Sequence, residues 1–487
     1  MSILAMEIDL HKQRRRAVAA AGLIVFGFVL WLGLRAPVGT MWDTDELLTA
    51  ERSREMLVTG QRFVVHYNFH RSFEKPPLQY WLTSFSLPRF KNHAVAVRIW
   101  PLFYAVLTAA ALGWLIFLIK PEEPWLIPLS VGILVSSPLF STESARGLLD
   151  IGLAFYSILT IVFAELARKK PAWWLAVAIA CWLGSLQKIP VPFLIWVLIL
   201  ITRLTNREER SNLRRGLSWL VPSLLLSIGL MSIWPLLQIF KYEMPVWREY
   251  QVEVVQWLGP TELGRRPYFE ILISMSLHPG GLCGFLSLIA LIVVLFSRKE
   301  RPSRQVMEIA LVTLGFLVLM IVSNFRLTRY VIPIVPLLCF LLALVFYRFL
   351  KRPAPNRTIA FVVLIGLLTA GFVHASIHLA KRRRDASDEQ AIAEKLGELQ
   401  QPETPSILIK AVIPGHDLLW DSFYLFHGNF RFPVTKLTVE ELRRTPPTPP
   451  LAGVCVARDF PVVEELYPNA RVVLARAQFI CWQVPGP

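Results

Sequence analysis

Acidic side chains gather in one short stretch of this chain. Between Trp42 and Trp81 lie Asp43, Asp45, Glu46, Glu51, Glu55 and Glu74, the last beside Lys75 and the pair Pro76-Pro77. A carboxylate can take a proton from an attacking hydroxyl, and an ammonium can hold an anion as a point charge. A purely structural role is equally open to them. Acids that open a surface helix compensate its dipole, and an adjacent Glu–Lys pair in solvent contributes little. The stretch stands out because apolar runs dominate the remainder of the chain.

Those runs are the elements that must position it. The 487 residues are 54% hydrophobic with a mean hydropathy of +0.49, too apolar for a soluble protein. Repeated apolar runs of roughly 18 or more residues read as membrane helices, and about eleven are expected, from Ala17–Leu34 to Ile359–Leu379. The net charge of +16 raises the question of nucleic acid. Lys and Arg fall in short clusters between apolar runs, however, which is the positive-inside pattern and excludes that partner class. Arg14, Arg15 and Arg16 place the N-terminus in the cytoplasm, and the first run reads as an anchor rather than a cleaved signal.

Alternation of the spans then puts three regions outside: the loop 36–93, a second long loop 241–268, and everything after about residue 380. The expectation is a polytopic α-helical protein of the plasma (inner) membrane, with a transmembrane domain over 1–380 and a small extracytoplasmic α/β domain over 381–487. In the first loop, Asp45–Leu57 reads as an amphipathic helix lying along the membrane surface. In the C-terminal domain Asp385–Gln401 reads as a helix, and Ser406–Ile413, Arg431–Leu437, Leu451–Ala457 and Val472–Val484 read as strands. Cys455 and Cys481 both fall in strands and either pair or stay as buried thiols.

Further candidates sit at span edges. Arg146 and Asp150 follow the third span, where charged residues are functional or paired. Arg326 and Arg329, three apart, would share a helix face and could grip phosphate, with snorkelling to the interface as the alternative. Lys188 and the pair Arg265-Arg266 are additional phosphate candidates. His66 and His70 have ligand-like spacing if helical, but the aromatic, β-branched run around them argues against a helix there. Trp234, Trp247 and Trp257 could stack on a sugar or simply sit at the interface.

The run Asp45-Glu46-Leu47-Leu48-Thr49-Ala50-Glu51-Arg52-Ser53-Arg54-Glu55-Met56, continued by Phe73-Glu74-Lys75-Pro76-Pro77-Leu78-Gln79-Tyr80-Trp81, resembles the first outer loop of the aminoarabinose-transferase and protein O-mannosyltransferase-like glycosyltransferases. These are polytopic enzymes of the GT-C type. Looser matches follow at Arg146–Asp150, Leu186-Gln187-Lys188 and Arg329–Pro336. The resemblance implies transfer of a sugar from a polyprenyl-phosphate donor to a lipid, glycan or protein acceptor on the outer face. It implies Asp45 as general base with Glu46 in support, and Lys75 holding the departing phosphate; Arg326 and Arg329 are added as phosphate ligands on their spacing alone. Arg146, Asp150 and Lys188 are left as substrate contacts. Glu74 would orient Lys75 or bind a divalent cation, and Pro76-Pro77 would fix the turn.

Two residue-level departures bear on substrate. Leu48 stands where close aminoarabinose-transferase relatives carry a basic residue, and the second outer loop lacks the histidine expected in its metal-linked segment. The sugar therefore stays unnamed, and so does the acceptor, whether lipid A or protein. The rival reading is a transporter or flippase of lipid-linked sugars, which calls for charges in mid-span and paired repeats. Here the charges sit at loop edges.

Overall fold

The structure, a computed structural model, describes residues 3–41, 43–188, 190–242, 282–297, 302–323, 327–381, 385–410 and 419–486. From the N-terminus the elements are α1 (Ile3–Gly33), α2 (Thr44–Thr59), the hairpin β1 (Val65–Tyr67) and β2 (His70–Ser72), α3 (Leu78–Ser86), α4 (His93–Ile119), α5 (Leu126–Ser136), α6 (Pro138–Ser144), α7 (Asp150–Ala167), α8 (Trp173–Gln187), α9 (Val191–Thr205), α10 (Arg207–Arg215) and α11 (Leu217–Tyr242). Then come α12 (Leu282–Phe296), α13 (Arg304–Val322), a 3-10 turn (Thr328–Ile334), α14 (Val335–Leu350) and α15 (Asn356–Lys381). Residues 243–281, which hold most of the expected second outer loop, and Arg326 lie outside the described residues.

Seven helices among the described residues are long and apolar enough to cross a membrane, and three shorter apolar ones accompany them. The chain is a multi-pass integral membrane protein. The third expected span is not a single rod: α5 and α6 meet at 68°. Pro138 opens α6, and a proline there removes a backbone donor and crowds the preceding turn, so the helix breaks at Ser137.

The compact units do not follow chain order. One comprises Met1–Ala36, Glu74–Leu78 and Arg98–Lys381; the other comprises Pro37–Phe73, Gln79–Val97 and Arg382–Pro487. In the first unit, α7, α9, α10 and α13 are tied by buried ions. Arg203 is 2% exposed and donates to Glu165 at 3.0 Å and Glu308 at 2.9 Å. Arg168 bonds Glu165 at 3.0 Å, Glu308 at 2.5 Å and also Glu209. Charges this deep persist only when paired on every side.

The second unit is built on a five-stranded sheet of order β4-β3-β5-β7-β6, from β3 (Ser406–Lys410), β4 (Val434–Thr438), β5 (Leu451–Val456), β6 (Arg471–Arg476) and β7 (Phe479–Val484). β3 pairs in parallel with β4 and β5, while β7 runs antiparallel to β5 and β6. The segment expected as one strand over Val472–Val484 is thus a hairpin. Side chains alternate between two cores. Leu408, Val454 and Cys481 pack on one face, and Ile407, Cys455 and Trp482 on the other. Val454 faces Cys481 and Cys455 faces Ile480 in the ladder, so the two cysteines point to opposite faces and remain free thiols. Burial pushes both up to about 12. Gly453 lies opposite Trp482, whose indole covers it so closely that a Cβ would stand 2.3 Å from the ring.

The first loop joins the face that carries Leu408. Met41, Leu47, Ala50, Leu87 and Ala94 share one core with Ile392, Tyr424, Phe426 and Phe430. As a consequence α2 is not an amphipathic surface helix: Glu46, Glu51, Arg52, Arg54 and Glu55 are all buried. Its polar face is covered, and Glu51 pairs with Arg54 of the same helix.

Candidate active site

The N-terminus of α2 carries the acids of interest. Asp43 is its N-cap, accepting from the Glu46 amide, and Gly60 closes the other end at φ +68, a left-handed conformation that suits glycine. Asp45 and Glu46 fill the first turn, where the helix dipole favours negative charge. Thr49 Oγ1 donates to the Asp45 carbonyl at 3.0 Å.

Deeper along α2 the acids are sequestered. Both Glu51 oxygens accept from Arg54 at 2.7 Å, and Arg54 Nη1 also donates to the Phe430 carbonyl at 2.7 Å. Burial pulls the Arg54 guanidinium down, but Glu51 outweighs it and holds Arg54 charged. Glu55 Oε2 accepts from the Phe69 amide at 2.9 Å. Burial first, then the neighbouring Glu51 carboxylate, pushes Glu55 up to about 9. Asp45 by contrast is half-buried. Of the four acids on α2 it alone is not buried.

Arg52 was not singled out by its sequence. It donates from Nη1 to the Tyr80 hydroxyl at 3.0 Å and lies 5.9 Å from the Tyr67 ring centre and 5.8 Å from that of Tyr80. Lys436 Nζ sits 4.8 Å from the Tyr67 ring centre and 2.9 Å from Asp421. The β1/β2 tip is held as well: Asn68, at φ +53, both donates to the Val434 carbonyl and accepts from its amide at 2.8 Å. In that hairpin Tyr67 faces His70 and His66 faces Arg71. The two histidines therefore cannot act as a pair, since strand neighbours one step out of register project to opposite sides. Burial lowers the His66 pKa.

Several candidate cations lie in the first unit. Lys75 lies 3.5 Å from Glu74 and is the more enclosed of the two, and Pro76 and Pro77 behind them are buried. Lys188 ends α8 and bonds Asp150 Oδ1 at 2.7 Å, both groups buried. The Tyr330 ring centre is 5.0 Å from Lys188 Nζ, and Arg329 lies 5.8 Å from the same ring. Arg146 pairs with Glu143 through bonds of 2.8 and 3.0 Å. Gln187 fixes the neighbourhood by donating to the Leu149 carbonyl at 3.1 Å and accepting from the Tyr104 hydroxyl at 3.4 Å. It reaches those partners over Gly152, where a Cβ would stand 2.5 Å from Gln187 Nε2. Asp150, Lys188 and Arg329 are thus brought around Tyr330, which the sequence marked only as part of the looser match at Arg329–Pro336.

Arg326, Arg265-Arg266, Trp247 and Trp257 lie outside the described residues, and Trp234 is buried in α11. Among the described residues no group of three or more His, Cys, Asp or Glu is placed to hold a metal.

Comparison with solved structures decides the architecture. The structure superposes on ArnT from Cupriavidus metallidurans bound to undecaprenyl phosphate with a TM-score of 0.72 at 17% identity, covering 97% of this chain and 98% of that one. It superposes on the oligosaccharyltransferase AglB from Archaeoglobus fulgidus, in complex with an inhibitory peptide and a dolichol-phosphate, with a TM-score of 0.59 at 13% identity, covering 86% of this chain and 64% of that one. The chain has the GT-C fold. At the level of sequence, residues 25–243 match the model of the dolichyl-phosphate-mannose-protein mannosyltransferase family. It is 30% identical over 183 residues to the undecaprenyl phosphate-alpha-4-amino-4-deoxy-L-arabinose arabinosyl transferase 2 of Sodalis glossinidius, an alignment covering 36% of this chain and 32% of that one. The chain spans about a third of the length of the curated relatives it matches first.

Proposed function

We propose that this protein is a membrane glycosyltransferase that moves a sugar from a polyprenyl-phosphate donor to a lipid, glycan or protein acceptor on the outer face of the membrane, with inversion at the anomeric carbon. The observation that carries the reading is the division of labour on α2, where Asp45 stays accessible in the first turn while Glu51 and Glu55 are buried. In the reaction the acceptor oxygen bonds to the anomeric carbon as the bond from that carbon to the phosphate oxygen breaks. The acceptor proton passes to Asp45, supported by Glu46, and the polyprenyl phosphate leaves with its charge held by Lys75.

Glu74 orients Lys75, a role supported by their 3.5 Å ion pair. Asp150 and Lys188, 2.7 Å apart under Tyr330, contact the substrate, with Arg146, Arg326 and Arg329 as the further cations of the donor phosphate. The Arg/Lys clusters between spans support a cytoplasmic N-terminus and an extracytoplasmic C-terminal domain. Similarity to enzymes whose names specify undecaprenyl phosphate donors supports the lipid carrier.

The test is sugar release from radiolabelled polyprenyl-phosphate donors by purified protein in membrane lipid. Wild type should consume one donor, while Asp45→Asn and Lys75→Ala should bind it and fail to turn over. If no donor in a broad panel is consumed, or if Asp45→Asn keeps the full rate, the proposal fails and a flippase of lipid-linked sugars becomes the better reading.

A further inference from the structure

The second unit holds a cavity of about 1110 Å³ whose walls come from within 37–41, 87–94, 385–394 and 426–429, together with Arg54 and Leu57 of α2. Polar bonds tie those walls to one another. Asn92 Nδ2 donates to the Pro37 carbonyl at 3.2 Å, while its Oδ1 accepts from the Ala94 amide at 3.0 Å. The Ala386 amide donates to Thr40 Oγ1 at 3.4 Å, and Arg54 Nη1 donates to Asn429 Oδ1 at 3.3 Å. The cavity is thus built by the fold of this unit.

Acceptors dominate its lining. His427 Nε2 lies 3.3 Å from the Met41 carbonyl; a carbonyl only accepts, so this nitrogen carries the hydrogen and Nδ1 keeps its lone pair. Burial lowers the His427 pKa, which favours that neutral ring. Gln390 Nε2 donates to Glu394 Oε1 at 2.7 Å, leaving the Gln390 oxygen as an acceptor. Asp385 and Glu394, both exposed, bring two carboxylates, and Lys91 brings an ammonium. The other cation, Arg54, is committed to both Glu51 oxygens at 2.7 Å. Two carboxylates facing one uncommitted cation repel a phosphate or an acid. Hydroxyl groups suit the same lining, because each can donate to a carboxylate, amide oxygen or imidazole nitrogen and accept from Lys91 or the Asn429 amide.

We propose that this cavity is a glycan-binding site separate from the proposed reaction centre, taking a short oligosaccharide without acidic substituents. Its volume lies just above the usual pocket range of about 300–1,000 Å³, room for more than one sugar ring. The separation follows from α2, which carries Asp45 near one end and Arg54 nine residues later. Nine residues are about two and a half turns, so the two side chains leave opposite faces of the helix, roughly 14 Å apart along its axis. A sugar held beside Arg54 is therefore held away from the base.

The experiment is saturation-transfer NMR on the full chain in lipid nanodiscs, with cellotriose, maltotriose and chitotriose as neutral probes and trigalacturonic acid as the acidic one. At least one neutral trisaccharide should bind wild type, and the acid should not. Lys91→Ala and Glu394→Ala, both at exposed positions, should each weaken that binding severalfold, whereas Asp45→Asn should leave it unchanged. Glu394→Lys should admit trigalacturonic acid, a gain that a misfolded protein cannot produce. The proposal is overturned if no neutral trisaccharide binds, if wild type prefers the acid, if Lys91→Ala and Glu394→Ala bind as wild type does, or if Glu394→Lys still refuses the acid. Loss of binding in Asp45→Asn would put the sugar at the reaction centre and overturn the separate site. Failure of sugar transfer with trisaccharide binding intact would refute the transferase reading and leave this site standing.

Discussion

Replacing Glu55 by Gln should stabilise this protein at neutral and alkaline pH and remove part of its pH dependence. In the fold, burial and Glu51 push the Glu55 carboxyl up to about 9 from an ordinary 4.5. The unfolded chain thus releases this proton near its ordinary value, and the folded chain keeps it until about 9. Between those limits the native state binds more protons than the unfolded state, so stability falls as pH rises, by about 1.4 kcal/mol per pH unit. At pH 7 the loss accumulated from 4.5 is on the order of 3 kcal/mol. Below the ordinary carboxyl range the loss disappears. Gln keeps the oxygen that accepts from the Phe69 amide at 2.9 Å and discards the charge. The assay is the apparent unfolding midpoint by intrinsic fluorescence in detergent at one scan rate, from about pH 6 to about pH 9. The difference between variant and wild type should widen with pH to a few degrees, given about 2–4 °C per kcal/mol for large domains and less for a longer chain. Parallel curves at all pH values would refute the buried-carboxyl argument.

Two further perturbations probe the first unit. Gly152→Ala places a methyl where Gln187 now reaches Leu149 and Tyr104, which shifts the adjoining Lys188. Sugar transfer should fall about tenfold, or 1.4 kcal/mol of barrier, with little change in unfolding midpoint, measured by initial rates and thermal melts. Arg203→Met removes one of the two cations that serve Glu165 and Glu308, both buried, and leaves Arg168 alone against them, which should cost about 3 kcal/mol. The double variant Arg203→Met/Glu308→Met should recover part of that loss in the same melting assay.

What the sequence discloses depends on whether a residue answers to a local rule. The apolar spans do, because about twenty residues of hydrocarbon are their own signal, and each segment named from hydropathy contains an apolar helix where it is described. The helix Ser387–Leu399 and the strands of the C-terminal domain show through their periodicity. The burial of α2 does not, because Glu51, Arg52, Arg54 and Glu55 in a row spell a solvated face by any local criterion. Their partners lie far away in the chain: Arg54 meets the carbonyl of Phe430, and Tyr67 meets Lys436. The hairpin at His66–His70 and the opposite orientation of Cys455 and Cys481 are likewise fixed by register, which no spacing along one strand reveals. Arg52 and Tyr80, and Lys188 and Tyr330, are meetings of the same long-range kind.

The buried charges of α2 also bear on how a base is kept in place. A half-exposed Asp45 on an ordinary surface helix would move with that helix, which in isolation frays at its first turn. Here the helix is fixed at three depths: Asp43 caps it, Arg52 is held at Tyr80, and Arg54 ties Glu51 to the backbone at Phe430. Each tie is charge-assisted or buried, and bonds of this kind fix their surroundings in one geometry more strictly than apolar contacts do. Acids that look catalytic by composition are therefore divided by depth. The deeper ones hold the backbone still, so that in the proposed reaction the shallow one would act from a fixed position. Truncating Arg54 should accordingly reduce turnover even though, in the proposed reaction, it touches neither donor nor acceptor.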